Sequence, residues 1–189
     1  MKLAGMKRYL ICGKKRCTKL ILKISPQTPF QDTLARIEKV EFVGSPIPSE
    51  HIIYSILELI NNSLRAHRNR KEDRPILLKL KTEKRGFEID LKDWGGGFDV
   101  KTLPYSLNDE ISKVDIHSEE FETYRQGHNY QRFGLGLYLA RKTFDDFSLR
   151  FFDAEGKESD WIKGKTVGTR ITLRALHKKD KTALKEYPR

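Results

Sequence analysis

The stretch Phe87-Glu88-Ile89-Asp90-Leu91-Lys92-Asp93-Trp94-Gly95-Gly96-Gly97-Phe98 reads as a strand that runs straight into a glycine turn. A carboxylate at a strand end, here Asp93, can project into a pocket and accept hydrogen bonds from an amino group. The glycines behind it let the backbone turn sharply and approach a flat ligand closely. Taken alone, Asp-Trp-Gly-Gly-Gly is only a turn signal. Its neighbours decide what it means.

Immediately upstream, Ile76-Leu77-Leu78-Lys79-Leu80-Lys81 reads as a partner strand, joined through a tight turn containing Arg85-Gly86. Before the break at Lys71-Glu72-Asp73-Arg74-Pro75, a long helix is expected from Ser49, as N-cap, to about His67. Ile52, Ile53, Ile56, Leu59, Ile60 and Ser63 recur at helical spacing and should face a sheet. Glu58, Asn62 and Arg65 follow at spacings of four and three, which aligns them along one face. Asn62 can give a neutral oxygen to magnesium, Glu58 can orient or deprotonate a nucleophile, and Arg65 can neutralise phosphate. For any single such pair the ordinary reading is a solvated helix face.

Downstream, residues 99–131 form a polar region without clear periodicity, a length typical of lids and binding loops. Arg132-Phe133-Gly134-Leu135-Gly136-Leu137 then opens a helix to about Phe144, and free N–H groups at such a helix start attract phosphate. Strands are expected at Phe147–Phe152 and Thr169–Leu173, joined by a charged, exposed hairpin region. Near the start, Leu20–Ile24 reads as a strand and the segment Phe30–Phe42 as a helix. Gly164-Lys165-Thr166 looks like the end of a P-loop, but Ser159 stands where the first glycine belongs and a strand follows where a helix is needed, so a P-loop is rejected.

At 189 residues, with 38% hydrophobic and 33% charged residues, the chain fits one globular domain without a stretch long enough for a membrane span. A cytoplasmic location is expected, with no signal-peptide core. Cys12 and Cys17 lack further metal ligands nearby and are expected as reduced thiols. Of the net charge of +11, residues 1–16 carry six basic residues and 177–189 carry +3, so solvated basic tails are expected over 1–17 and 177–189. Nucleic acid is accordingly not expected as a partner.

The motifs in order are Glu58-Leu59-Ile60-Asn61-Asn62 on a helix, Asp93-Trp94-Gly95-Gly96-Gly97 after a strand, Gly134-Leu135-Gly136-Leu137 before a helix, and Gly168-Thr169 leading a strand. That set resembles the GHKL (Bergerat-fold) ATPase domain shared by histidine kinases, anti-sigma-factor serine kinases and gyrase, over residues 18–174 or so. The resemblance implies an α/β two-layer sandwich: a mixed, mostly antiparallel sheet with helices on one face and an ATP lid at 99–131. It also implies ATP and Mg2+ as cofactors. Asn62 would ligate the metal, and Asp93 would receive the adenine amino group with Thr169 beside it. Gly95 and Gly97 would shape the adenine pocket, Gly134 and Gly136 the phosphate loop, Arg65 would face phosphate, and Glu58 would be the general base.

None of His51, His67, His117, His128 and His177 sits on a separate heptad hairpin, so a self-sufficient histidine kinase is not expected. The favoured expectation is a serine/threonine protein kinase resembling anti-sigma factors, acting on a partner protein. The alternatives are a detached histidine-kinase-like catalytic domain and a non-catalytic ATP-dependent interaction module. Homodimers are common in the superfamily, without a locatable interface here. Trp94 is expected to narrow the pocket, and Asp153–Lys165 to be an insertion in the last hairpin.

Overall fold

Leu78, Leu80, Ile89 and Leu91 alternate with charged residues along two strands, and this period of two gives the main sheet one apolar and one charged face. In the computed structural model, described for residues 7–128 and 135–177, those strands are β5 (Ile76–Glu83) and β6 (Gly86–Asp93). They belong to a six-stranded sheet of order β3-β5-β6-β9-β7-β8, every neighbouring pair antiparallel where register is defined. Here β3 is Lys19–Ile24, β7 Asp146–Phe152, β8 Glu158–Ser159 and β9 Gly168–Leu176. Helices α1 (Phe30–Ile37), α2 (Ser49–Arg70) and α4 (Leu135–Thr143) contribute apolar side chains to the single core cluster that the sheet's inner face builds. The expected two-layer α/β sandwich is the fold.

The apolar stripe of α2 explains its burial. Ile52, Ile56, Leu59, Ile60 and Leu64 are all essentially inaccessible and meet Leu78, Ile89, Leu91 and Leu173 from the sheet. Burying each such side chain stabilises the fold by about 1.5–3 kcal/mol. The sheet's opposite face is charged and carries ion pairs. Arg170 reaches Asp90 through Nε and Nη2 at 2.9 and 2.8 Å, and Arg174 bridges Glu88 and Asp146 at 3.0 and 2.6 Å.

Three expectations are corrected here. Residues 9–17 are not a solvated tail: β1 (Tyr9–Cys12) and β2 (Lys15–Cys17) pair antiparallel, and β1 pairs in turn with β4 (Val40–Val43) in a second sheet. Charge counting overlooked that Leu10 has no solvent exposure, while Phe42 of β4 packs edge-to-face on Phe87 at 5.4 Å. The helix expected over Phe30–Phe42 ends at Ile37, because Val40 and Phe42 point inward at strand spacing around exposed Glu41. Ser49 is the first helical residue after Pro48 rather than the cap, and its hydroxyl accepts the Phe42 N–H at 3.1 Å. The segment beyond His177 lies outside the described residues.

Residues 99–128, the described part of the segment expected as a lid, are folded. They hold two 3-10 turns, Val100–Thr102 and Ile111–Lys113, and helix α3 (Glu119–Gly127), capped by the Ser118 hydroxyl. Tyr105 stacks on Phe121 at 5.6 Å and meets Tyr138 of α4, a small cluster of its own that ties this segment to α4. With Phe121 as the one fully buried side chain of α3, the helix shows no legible periodicity in sequence.

Candidate nucleotide site

β6 ends at Asp93, and α2 runs beneath that end. Ser63 of α2 donates its hydroxyl to Asp93 Oδ2 at 2.9 Å, and the Gly95 N–H donates to Oδ1 at 2.8 Å. The carboxylate is 5% exposed, and burial pushes its pKa up against the opposing pull of the Gly95 N–H, Ser63 and His67. Held by one donor on each oxygen, it keeps lone pairs for a ligand. Thr169 sits directly across the β6–β9 ladder from Asp93 and is equally buried.

A cavity of about 320 Å3 opens beside this carboxylate, the size class of small-molecule sites. Glu58, Asn62, Arg65, Asp93, Gly97, Gly136 and Thr169 all line it, so the structure brings together seven of the residues singled out in sequence. Gly95 contributes its N–H to Asp93 rather than a wall. Gly134 and Phe133 lie outside the described residues.

Two glycines leave room that a side chain would take from its neighbours. Gly97 has φ of +62°, a left-handed conformation, with Phe151 and Trp161 against the position of a side chain. At Gly136 a Cβ would stand 2.8 Å from Asn62 Nδ2, so a side chain there would displace the carboxamide at the end of Asn62. Asn62 Oδ1 in turn accepts from Arg65 Nη2 at 2.5 Å.

Trp94 does not narrow the cavity. Its ring packs against Phe152 at 6.1 Å, with Arg74 and Lys92 stacked on it, away from the lining residues. Neighbouring side chains along a strand end face opposite ways, so a residue next to Asp93 turns away from the pocket. The Asp153–Lys165 stretch instead braces the glycine turn from outside, since Trp161 Nε1 donates to the Gly96 carbonyl at 3.2 Å. Gly164, at φ of +79°, belongs to a turn closed onto the Ile162 carbonyl and followed by β9, which leaves no P-loop.

Sequence reasoning missed several members of the site. Ser63 falls in the sheet-facing stripe of the sequence, and a hydroxyl among aliphatics at that position is the signal that marks it. Thr102, Leu103 and Tyr124 line the cavity from the 99–128 segment, and no local pattern marks them. His67, one turn beyond Ser63, is fully buried and accepts the Trp94 N–H at 2.9 Å.

Residues 49–162, more than half of the chain, match the family model described as histidine kinase-like ATPase domain. The chain belongs to that family. It is therefore an ATP-binding domain of the GHKL type, and the matched span runs from the first residue of α2 through the site to the stretch that braces it. No curated protein matches this GHKL domain. Among its described residues, no helix is long and apolar enough to cross a membrane.

The donor set fits a magnesium ion carried in with a nucleotide. Among the described residues no group of three or more His, Cys, Asp or Glu could hold a metal alone. Magnesium keeps waters and substrate phosphates as most of its ligands and asks the protein for one or two oxygens. The Asn62 carboxamide, with the Glu58 carboxylate one turn away in the same cavity, suits that demand.

Proposed function

We propose that this GHKL domain is a magnesium-dependent protein kinase that phosphorylates a serine or threonine hydroxyl on a partner protein. The observation that carries this reading is the position of Glu58. Its carboxylate lines the nucleotide cavity one helical turn from Asn62, near where the phosphates would lie if the base sits on Asp93. In this reading Asp93 accepts the adenine amino group, Thr169 supports the base, and Gly95 and Gly97 shape the turn against its ring. Asn62 would hold the metal, whose chemistry is to neutralise charge on the β- and γ-phosphates. Arg65 leaves the Asn62 oxygen and turns to phosphate, Gly136 keeps the α4 backbone close, and Glu58 takes the hydroxyl proton.

The test is transfer of labelled phosphate from ATP to candidate partners, with the Glu58→Gln variant as control. The variant is expected to bind ATP within about threefold of wild type and to lose at least ~100-fold in transfer. An acid-labile label would move the reading to a histidine acceptor, which the histidine kinase-like match also accommodates. Equal silence of both proteins, with ATP binding intact, would leave a nucleotide-dependent interaction module.

A further inference from the structure

We infer that His67 is a positioning residue that docks the adenine-reading turn onto α2 and makes nucleotide affinity fall on acidification. This inference rests on the reading of Asp93 as the adenine acceptor. Ser63 and His67 are four residues apart on α2 and act on the same turn at adjacent points. Ser63 holds the Asp93 carboxylate, and His67 Nε2 accepts the N–H of Trp94, the next residue. The turn's remaining bonds come from elsewhere: the Gly96 N–H reaches the Val167 carbonyl at 3.1 Å, and Trp161 holds the Gly96 carbonyl. His67 is therefore the side chain that ties the backbone of this turn to the helix carrying Glu58 and Asn62.

A backbone N–H can only donate, so Nε2 must present its lone pair and the neutral ring carries its proton on Nδ1. Nδ1 is buried toward the Glu72 backbone and has no partner of good geometry among the described residues. Protonating Nε2 would set two N–H groups against each other at 2.9 Å. The charged groups facing the ring are Asp93 at the end of β6, and Glu72 and Arg74 on the segment after α2. Asp93 and Glu72 favour the imidazolium and Arg74 disfavours it, but burial outweighs them and holds His67 below the ordinary histidine range. Acidification thus removes the acceptor under Trp94, frees the turn, and turns Asp93 away from the base.

The experiment is calorimetric titration of the full chain with Mg-ADP from about pH 5 to pH 8, on wild type, His67→Gln and His67→Leu. Glutamine places an acceptor where Nε2 stood but does not titrate, while leucine supplies none. Wild-type affinity should fall at least ~5-fold further than that of H67Q across this range, the nucleotide's own phosphate titration being common to both. H67Q should match wild type at pH 8 within about twofold, and H67L should bind roughly 10-fold more weakly than H67Q at every pH, as loss of one buried hydrogen bond requires. Superimposable pH profiles for wild type and H67Q, with binding intact, would overturn the role of His67 alone. Absence of binding by folded wild type at every pH would overturn the site reading beneath it as well.

Discussion

Asp93 shows how much one side chain's chemistry depends on its supports. Buried and yet held by a hydroxyl and a backbone N–H, it is a carboxylate oriented before any ligand arrives. Preorganisation of this kind removes an ordering cost from binding. Asp93→Asn replaces one acceptor oxygen with a donor, and ATP affinity measured by calorimetry is expected to fall ~10-fold or more, the scale of a hydrogen bond to a charged group. Unchanged affinity in a folded variant would refute the pocket assignment. Asn62→Ala should act differently. It should erase the gain in affinity that magnesium confers while leaving metal-free ADP binding within about threefold, because in the proposed reading it removes a metal ligand and not a base contact.

At the scale of elements, the site is a junction of two helices and two strand ends. α2 supplies Glu58, Asn62, Ser63, Arg65 and His67 from one long amphipathic helix, so their mutual spacing is set by helical geometry alone. α4 meets α2 at Gly136. With its Cβ 2.8 Å from Asn62 Nδ2, Gly136→Ala must turn the carboxamide out of its place. Magnesium-dependent nucleotide affinity is expected to drop at least ~10-fold, with stability changed by less than about 1 kcal/mol because a side-chain end can give way without strain in the core. An alanine variant with wild-type magnesium dependence would show that the α2–α4 contact does not position Asn62. The 99–128 segment is fastened to α4 through Tyr105, Phe121 and Tyr138, so a shift of α4 would be felt across the wall that carries Tyr124.

For the molecule as a whole, acid titration should separate two losses of stability. His67 has a folded pKa below its unfolded value near 6.5, so the unfolded chain takes up the proton first and stability declines as pH falls below about 6.5. Glu72 is held down to about 2 by its hydrogen bonds with Arg74, so its contribution is present above the unfolded carboxylate value and is lost as pH falls from about 4.5 toward 2. Asp93 works with the opposite sign: burial raises its pKa, and stability is recovered as pH falls through that raised value. Urea unfolding at stepped pH should show the first decline in wild type and a flatter curve in His67→Gln. Coincident curves would mean that burial of His67 is not coupled to folding as described.

What the amino-acid sequence determined by itself was the set of local regularities. The alternation in β5 and β6, the helical stripe of α2, the Glu58–Asn62–Arg65 face and the glycines around Asp93 are properties of residues a few positions apart, where backbone period alone dictates direction. Through the family resemblance they carry, those regularities pointed to the sandwich and to seven residues of the cavity lining. Tertiary structure decided the rest, because it turned on contacts between distant residues. Charge counting made a tail of residues 9–17, but pairing with Val40–Val43 and burial of Leu10 made strands of them. Helical spacing carried Phe30 on to Phe42, yet the partner strand β1 claimed Val40 and Phe42. Trp94 faces away from the cavity, and Trp161 reaches back 65 positions to brace Gly96. Burial and hydrogen-bond pairing are summed over the whole chain, so a local window assigns His67 only to a helix, while the fold puts it under the glycine turn that follows Asp93.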